Sequence, residues 1–207
     1  MSLIITGFAP VQDINKTLTP ELTNTDSRLY RIDLSKGQYR LGGSILAQTL
    51  GQLGDDCPDV DSADDLKRFF EFIQTANNQG FISAYHDISD GGLIATVAEM
   101  QFTARVAINL SLDDDNLLGR LFAEELGAVV QVLPEYVFDF EELAQSMGVS
   151  QMVCDIGEVF ATPAGGADQD ILSIQTASMN LEFMRSDLQN EWTKVCHAIA
   201  CIRDNPA

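Results

Sequence analysis

The sequence predicts an α+β fold, a mixed β-sheet covered by helices, and three observations carry that expectation. Strand-like and helix-like segments intermix without strict alternation, which argues against a parallel doubly wound sheet. Residues 128–133 form an apolar run of strand length, interrupted only by Gln131, the pattern of a strand buried on both faces. Stripes of helical period recur at Leu66, Phe69, Phe70 and Ile73, and again at Leu188, Trp192, Val195, Ile199 and Ile202. At 207 residues the chain can bury one sizeable core, so a single domain over 1–207 is expected rather than two small ones.

The elements follow in order. Residues 3–8 and 28–34 read as strands. In the second, Tyr30, Ile32 and Leu34 alternate with Leu29, Arg31 and Asp33, which predicts one buried face. Between them Asp13 to Pro20 is polar and turn-rich, an ordered surface loop. Leu41-Gly42-Gly43-Ser44 opens a helix carrying Ile45, Leu46, Thr49, Leu50 and Leu53. Gly54 to Asp64, with Pro58 and several aspartates, is a loop.

Ser62 with Asp65 resembles a capping box, starting a helix that ends at Gly80. A strand at about 82–86 precedes a helix through Leu93, Val97 and Met100. Val106, Ile108 and Leu110 alternate as another strand. Leu117, Leu118, Leu121 and Phe122 look helical and stop near Gly127. Tyr136, Phe140, Leu143 and Met147 suit a helix closed by Gly148. Strands near 152–159 and 171–175 flank a Gly165-Gly166 turn, and a last helix follows a Ser186 cap.

Charge narrows the partners. Lys and Arg number 12 against 31 Asp and Glu, a formal charge of -19, which repels nucleic acid and anionic lipid. Any phosphate held against such a surface needs compensation from a dication, from basic groups supplied elsewhere, or from backbone dipoles. No apolar run approaches the length of a membrane span, and the N-terminus lacks the features of a signal peptide. Cys57, Cys154, Cys196 and Cys201 form no C-x-x-C pair. With His86 and His197 alone there is no zinc spacing, so reduced thiols in a cytoplasmic protein fit best. Cys196 and Cys201 read as helix-packing residues.

The most informative stretch is Ala84-Tyr85-His86-Asp87-Ile88-Ser89-Asp90-Gly91-Gly92-Leu93. A carboxylate at a strand end can hold a hard divalent cation, and backbone amides at the following helix N-terminus can hold phosphate. Gly91 and Gly92 let a ligand or another backbone come close. The same pattern also permits a plain turn at Asp87 and Asp90 with Ser89 as helix cap. His86 suits either acid–base work or a satisfied, partly buried role.

Other patterns are weaker. Gly42-Gly43-Ser44 is too short for a specific anion cradle, lacks the lysine of a P-loop, and reads as close helix packing. Asp113-Asp114-Asp115 fails as an EF-hand because Leu117 and Leu118 fall at loop positions, which leaves a solvated turn. Glu124 and Glu125 sit beside a buried strand and read either as carboxylates serving a site or, by default, as exposed helix-end charge. No Ser/His/acid or Cys/His set assembles.

Taken together, several segments resemble one family. They are Phe8-Ala9-Pro10-Val11-Gln12-Asp13 with Thr17-Leu18-Thr19-Pro20, Leu41-Gly42-Gly43-Ser44, His86 to Gly92, Phe122-Ala123-Glu124-Glu125-Leu126-Gly127, and Arg203-Asp204-Asn205-Pro206. In that order, from about residue 4 to 206, they look like a C-terminal aminoimidazole-ribonucleotide-synthetase-like lobe. It is the one in the second synthetase half of the large phosphoribosylformylglycinamidine synthases. Met1-Ser2-Leu3 reads as an expression remnant.

The resemblance implies a three-layer α/β/α fold with a mixed sheet and partial ferredoxin-like similarity. It implies part of an ATP- and glutamine-dependent ligase of purine biosynthesis, converting formylglycinamide ribonucleotide to its amidine. The partners it implies are a preceding synthetase lobe and a following glutaminase domain of the same polypeptide. It carries over Asp87 as a magnesium ligand and Ser89 as a nucleotide contact, in an auxiliary site for Mg2+ and ATP or ADP completed by the preceding lobe. No catalytic residue is carried over, and the lobe alone is expected to be inactive. The family position after Asp87 is often basic, whereas Ile88 is apolar. Two other functions remain open on the residues: a self-sufficient ATP-using enzyme like the selenophosphate synthetases or thiamine-phosphate kinases, and a non-catalytic interaction module.

Overall fold

The computed structural model describes residues 5–11, 13–162 and 169–204. Seven strands form its sheet: β1 Ser27–Asp33, β2 Ala84–Asp87, β3 Ala107–Ser111, β4 Gly127–Val132, β5 Val153–Phe160, β6 Ile171–Gln175 and β7 Asn180–Met184. They lie side by side as β2-β4-β1-β5-β3-β6-β7. Only β3 and β6 run parallel; the other neighbours are antiparallel, so the sheet is mixed as expected. The helices are α1 Ile45–Thr49, α2 Ala63–Gln79, α3 Gly92–Ala104, α4 Leu117–Phe122, α5 Val137–Ser146 and α6 Arg185–Asp204.

Helices cover the sheet from both sides. On one face Leu93, Val97, Met100 and Leu121 of α3 and α4 pack on Leu29, Val129, Ile108, Leu172 and Ile174. On the other, Phe72, Ile73 and Ala76 of α2 and Phe140 and Ala144 of α5 pack on Tyr30, Ile32, Val130 and Val132. Tyr30, Phe140 and Phe72 stack in a row there, with ring centroids 5.1 and 5.2 Å apart. Each fully buried side chain of this size contributes about 1.5–3 kcal/mol. This second helical layer stops half-way across. Beyond β5 that face carries Asn109 and Ser173, hydrogen-bonded to each other at 3.0 Å.

β4 is buried along its whole length, as its apolar run predicts. β1 is buried from Leu29 to Asp33, with Arg28 partly exposed, against the expectation of one buried face: Leu29, Arg31 and Asp33 are as inaccessible as Tyr30 and Ile32. A strand in the middle of a twice-covered sheet has no wet side. Its polar positions are retained because they find partners, Arg31 donating to the Arg120 carbonyl and Asp33 accepting from Ser35.

Helix termini follow the sequence signals where these are local. Ser62 caps α2 by accepting from the Asp65 N–H at 3.1 Å, and Gly80 ends it in the left-handed region, with φ 77°. The box is not reciprocal, because the Asp65 carboxylate instead accepts from Lys36 at 2.7 Å. The inward face of α2 is Phe72, Ile73 and Ala76, and Phe70 points to solvent. At 100° per residue, Phe69, Phe70 and Phe72 cannot share one face.

Four further expectations are corrected, and one strand went unread. Residues 5–8 have no regular structure, an apolar run without a neighbouring strand; residues 3 and 4, like Met1-Ser2-Leu3, lie outside the described residues. α1 ends at Thr49, so Leu53 lies beyond it. β7 has no sequence signal, because as an edge strand it buries neither face and shows no alternation. α6 begins at Arg185 directly after β7, which places Ser186 inside the helix, and its stripe at Trp192, Val195, Ile199 and Ile202 is exposed. Cys196 and Cys201 do not pack, for all four cysteines are free and exposed. The Gly165-Gly166 turn and Asn205-Pro206 fall outside the described residues. Among the described residues no helix is long and apolar enough to cross a membrane.

Candidate functional site

The site is the turn between β2 and α3. β2 is an edge strand hydrogen-bonded to β4, with Asp87 opposite Ala128 at its end. The pairing ends there, and the Asp87 side chain is 69% exposed. The next side chain, Ile88, turns the other way and is buried in the core under α3, while its N–H donates to the Gly127 carbonyl at 2.9 Å. Ile88 is apolar because it anchors the turn. Ser89 and Asp90 are exposed, and the Ser89 carbonyl accepts from the Gly92 N–H at 3.0 Å. A backbone held at Ile88 and Ser89 thus leaves Asp87 and Ser89 exposed on either side of a core-anchoring residue.

The two glycines serve backbone approach rather than an open cradle. Gly91 (φ 87°) is the left-handed N-cap of α3, and no side chain of its own can complete the cap. A Cβ on Gly92 (φ 71°) would lie 2.7 Å from the Phe122 carbonyl carbon, so this position is where α3 crosses the α4 backbone. Ser89 is thus not the helix cap. That function falls to Glu124, whose Oε1 accepts from the Gly91 N–H and from the Ile45 N–H, each at 2.8 Å.

Glu124 and Glu125 are the residues that sequence reasoning undervalued. Glu125 is 1% exposed and fully engaged by Arg40, whose backbone N–H, Nε and Nη2 donate to it at 2.9, 2.8 and 2.8 Å. Arg40 also donates to Asp61, and these carboxylates hold its guanidinium charged well above its ordinary range. Glu125 is a buried ion-pair partner, not helix-end charge. Its one visible signal was the -Glu-Glu-Leu-Gly- run entering a buried strand, which does not name a partner 85 residues away.

The Gly42-Gly43-Ser44 segment confirms close packing. Gly42 donates to the Asp56 carbonyl at 2.7 Å, and a Cβ there would fall 2.5 Å from the same oxygen. Ser44 caps α1 by accepting from the Ala47 N–H. His86 is likewise satisfied. Its Nδ1 lies 2.8 Å from the Asp87 carbonyl and its Nε2 3.0 Å from Glu99 Oε2. Burial, and after it the Asp87 charge, pushes the neighbouring Tyr85 hydroxyl above its ordinary value. Asp113 and Asp115 form a solvent-exposed turn paired with Arg120.

Among the described residues no group of three or more His, Cys, Asp or Glu side chains is placed to share a metal ion. What the turn offers is one accessible carboxylate and one hydroxyl. That donor set fits a hard, hydrated cation such as Mg2+, which takes one or two carboxylates and completes its shell with water and phosphate oxygens. It does not amount to a closed protein cage.

Fold and turn together define a class: an α+β lobe whose mixed sheet ends in an exposed carboxylate at the start of a glycine-led helix. Comparison with known proteins makes this specific. Residues 34–169 match the family described as AIR synthase related protein, C-terminal domain, and the chain belongs to that family. It is 41% identical over its whole length to a phosphoribosylformylglycinamidine synthase of Schizosaccharomyces pombe, of which it spans 16%.

Solved structures share the fold. T. maritima PurL complexed with ATP superposes with a TM-score of 0.61 at 14% identity, covering 84% of this chain and 27% of that one. The hydrogenase maturation protein HypE in complex with ATP gives 0.58 at 16%, covering 82% and 53%.

Proposed function

We propose that residues 1–207 are one lobe of a phosphoribosylformylglycinamidine synthase, an ATP- and glutamine-dependent C–N ligase of purine biosynthesis in the cytoplasm. In this reading the lobe contributes to an auxiliary Mg–nucleotide site and is inactive alone. Its partners are a preceding synthetase lobe, which supplies the remaining metal ligands, and a glutaminase domain of the same polypeptide. The observation that carries the proposal is the 41% identity, sustained across this whole chain, to a synthase six times its length.

Within that site Asp87 is the metal ligand and Ser89 the nucleotide contact. When bound, Mg2+ supplies positive charge between the Asp87 carboxylate and phosphate oxygens. The chain's own residues do the rest. Ile88 in the core and the β2–β4 pairing hold the Asp87 backbone still. The exposed Ser89 hydroxyl is available to donate to a phosphate oxygen. The overall charge of -19 opposes a bare polyanion and favours one already complexed with the cation.

The test is Asp87→Asn in the intact polypeptide, with bound nucleotide measured after purification and Mg–ADP affinity measured by calorimetry. Loss of nucleotide at unchanged fold is expected; unaltered nucleotide content refutes the ligand assignment. The isolated 207-residue chain is expected to bind Mg–ATP very weakly and to turn over none. Tight stoichiometric binding or turnover would instead favour a self-sufficient enzyme.

A further inference from the structure

Glu124 has no part in the reading above, yet it touches both glycine-led turns. α3 has 13 residues, and its first amides point out of the helix with the positive end of its dipole. Gly91, its N-cap, has no side chain to satisfy them, and its own N–H is taken by Glu124, 33 residues further along the chain. The same oxygen, Glu124 Oε1, takes the Ile45 N–H directly after Ser44. The backbone beneath it is fixed on both sides: Ala123 is buried and donates to the Gly119 carbonyl, and Glu125 is locked to Arg40.

We propose that Glu124 is a positioning residue for the Mg–nucleotide site, a single carboxylate oxygen that clamps the Asp87–Gly91 turn against the Gly43–Ile45 turn. This rests on the reading of Asp87 and Ser89 as ligands. The clamp fixes the end of the loop that presents both groups, two residues beyond Ser89 and four beyond Asp87. It also occupies the Gly91 N–H, so that amide is closed to a phosphate oxygen.

The clamp depends on reach and acceptor geometry, not on charge, and this makes it testable in the intact polypeptide. Glu124→Gln keeps an oxygen at the same distance. Glu124→Asp keeps the charge but is one methylene short of spanning both amides. Mg–ADP affinity is measured by calorimetry for both variants and for Asp87→Asn, beside the melting temperature of each. Glu124→Asp is expected to weaken binding about tenfold or more and Glu124→Gln by no more than about threefold, the scale seen when groups supporting a metal ligand are removed.

Wild-type affinity in Glu124→Asp, even with a lowered melting temperature, overturns the clamp. So does a loss in Glu124→Gln as large as in Glu124→Asp. Asp87→Asn separates the two proposals: if it leaves affinity unchanged, the ligand reading itself has failed. If Asp87→Asn loses affinity while Glu124→Asp does not, only the clamp has.

Discussion

Removing Glu125 should unlock the scaffold under the site. In Glu125→Ala the Arg40 guanidinium loses two hydrogen bonds of 2.8 Å, and the Arg40 backbone N–H loses its acceptor at 2.9 Å. Asp61, at 3.0 and 3.1 Å, remains as partial compensation, though its side chain is itself 37% exposed. Breaking a buried ion pair on one side costs about 3–5 kcal/mol, and the residual partner pulls toward the lower end. The orphaned backbone N–H adds about 1–3 kcal/mol, reduced where water reaches it.

The sum is a loss of about 4 kcal/mol, equivalent to about 8–16 °C in melting temperature for a chain of this size. Urea unfolding followed by circular dichroism should register it as a shift in midpoint at constant slope. The paired replacement Arg40→Met, Glu125→Leu leaves no buried charge. It should therefore cost less than the sum of the two single changes by at least about 2 kcal/mol. A loss below about 1 kcal/mol in Glu125→Ala, or simple additivity in the cycle, would refute the claim that this pair is buried and coupled.

Two further outcomes follow from the geometry. Tyr30, Tyr39 and Tyr85 all have hydroxyls raised above the ordinary value near 10, each chiefly by burial, with the Tyr30 hydrogen bond to Glu141 adding to it. The folded state thus prefers the protonated phenols, so their stabilisation is complete below about pH 10 and is lost as pH rises through their folded-state values. Tyrosinate absorbance should therefore rise together with loss of circular dichroism; ionisation of all three near pH 10 in a still-folded chain would contradict the assignment. Gly92→Ala should destabilise by about 2 kcal/mol or more, against about 1 kcal/mol for Gly80→Ala, in equilibrium unfolding. Both have left-handed φ, but only at Gly92 does a new Cβ meet a backbone; equal losses would refute the α3–α4 crossing.

What was legible in the sequence was whatever a short window determines. Ser62 and Gly80 bracket α2, and Gly148 (φ 68°) follows the end of α5. The apolar run at Ala128 became β4 at the centre of one half of the sheet. The Asp87 carboxylate could be placed at a strand end because the apolar run stops there. What stayed hidden depends on distant partners. Whether Glu125 is wet or buried is decided by Arg40, and whether Gly91 offers free amides is decided by Glu124. β7 was hidden because an edge strand buries too little to impose a period of two.

The distribution of positive charge supports a metal-mediated site over direct phosphate binding. Among the described residues nine of the 12 basic side chains sit in ion pairs with the chain's own carboxylates: Arg28, Arg31, Lys36, Arg40, Lys67, Arg120, Arg185, Lys194 and Arg203. The other three lie away from the turn. Lys16 donates to the Asn78 carbonyl at the end of α2, and Arg68 is on α2, in the helical layer opposite α3. Arg105 is the C-cap of α3, about 20 Å along the helix from Gly91 at 1.5 Å per residue. With the α3 amide at Gly91 taken by Glu124, an anion reaching this turn meets the carboxylates of Asp87, Asp90 and Glu124, and none of Lys16, Arg68 and Arg105 lies beside it. Attraction must then come from a dication that Asp87 helps to hold, or from basic groups on a neighbouring lobe. On the reading proposed above it is the first, and chelation of Mg2+ would then abolish it.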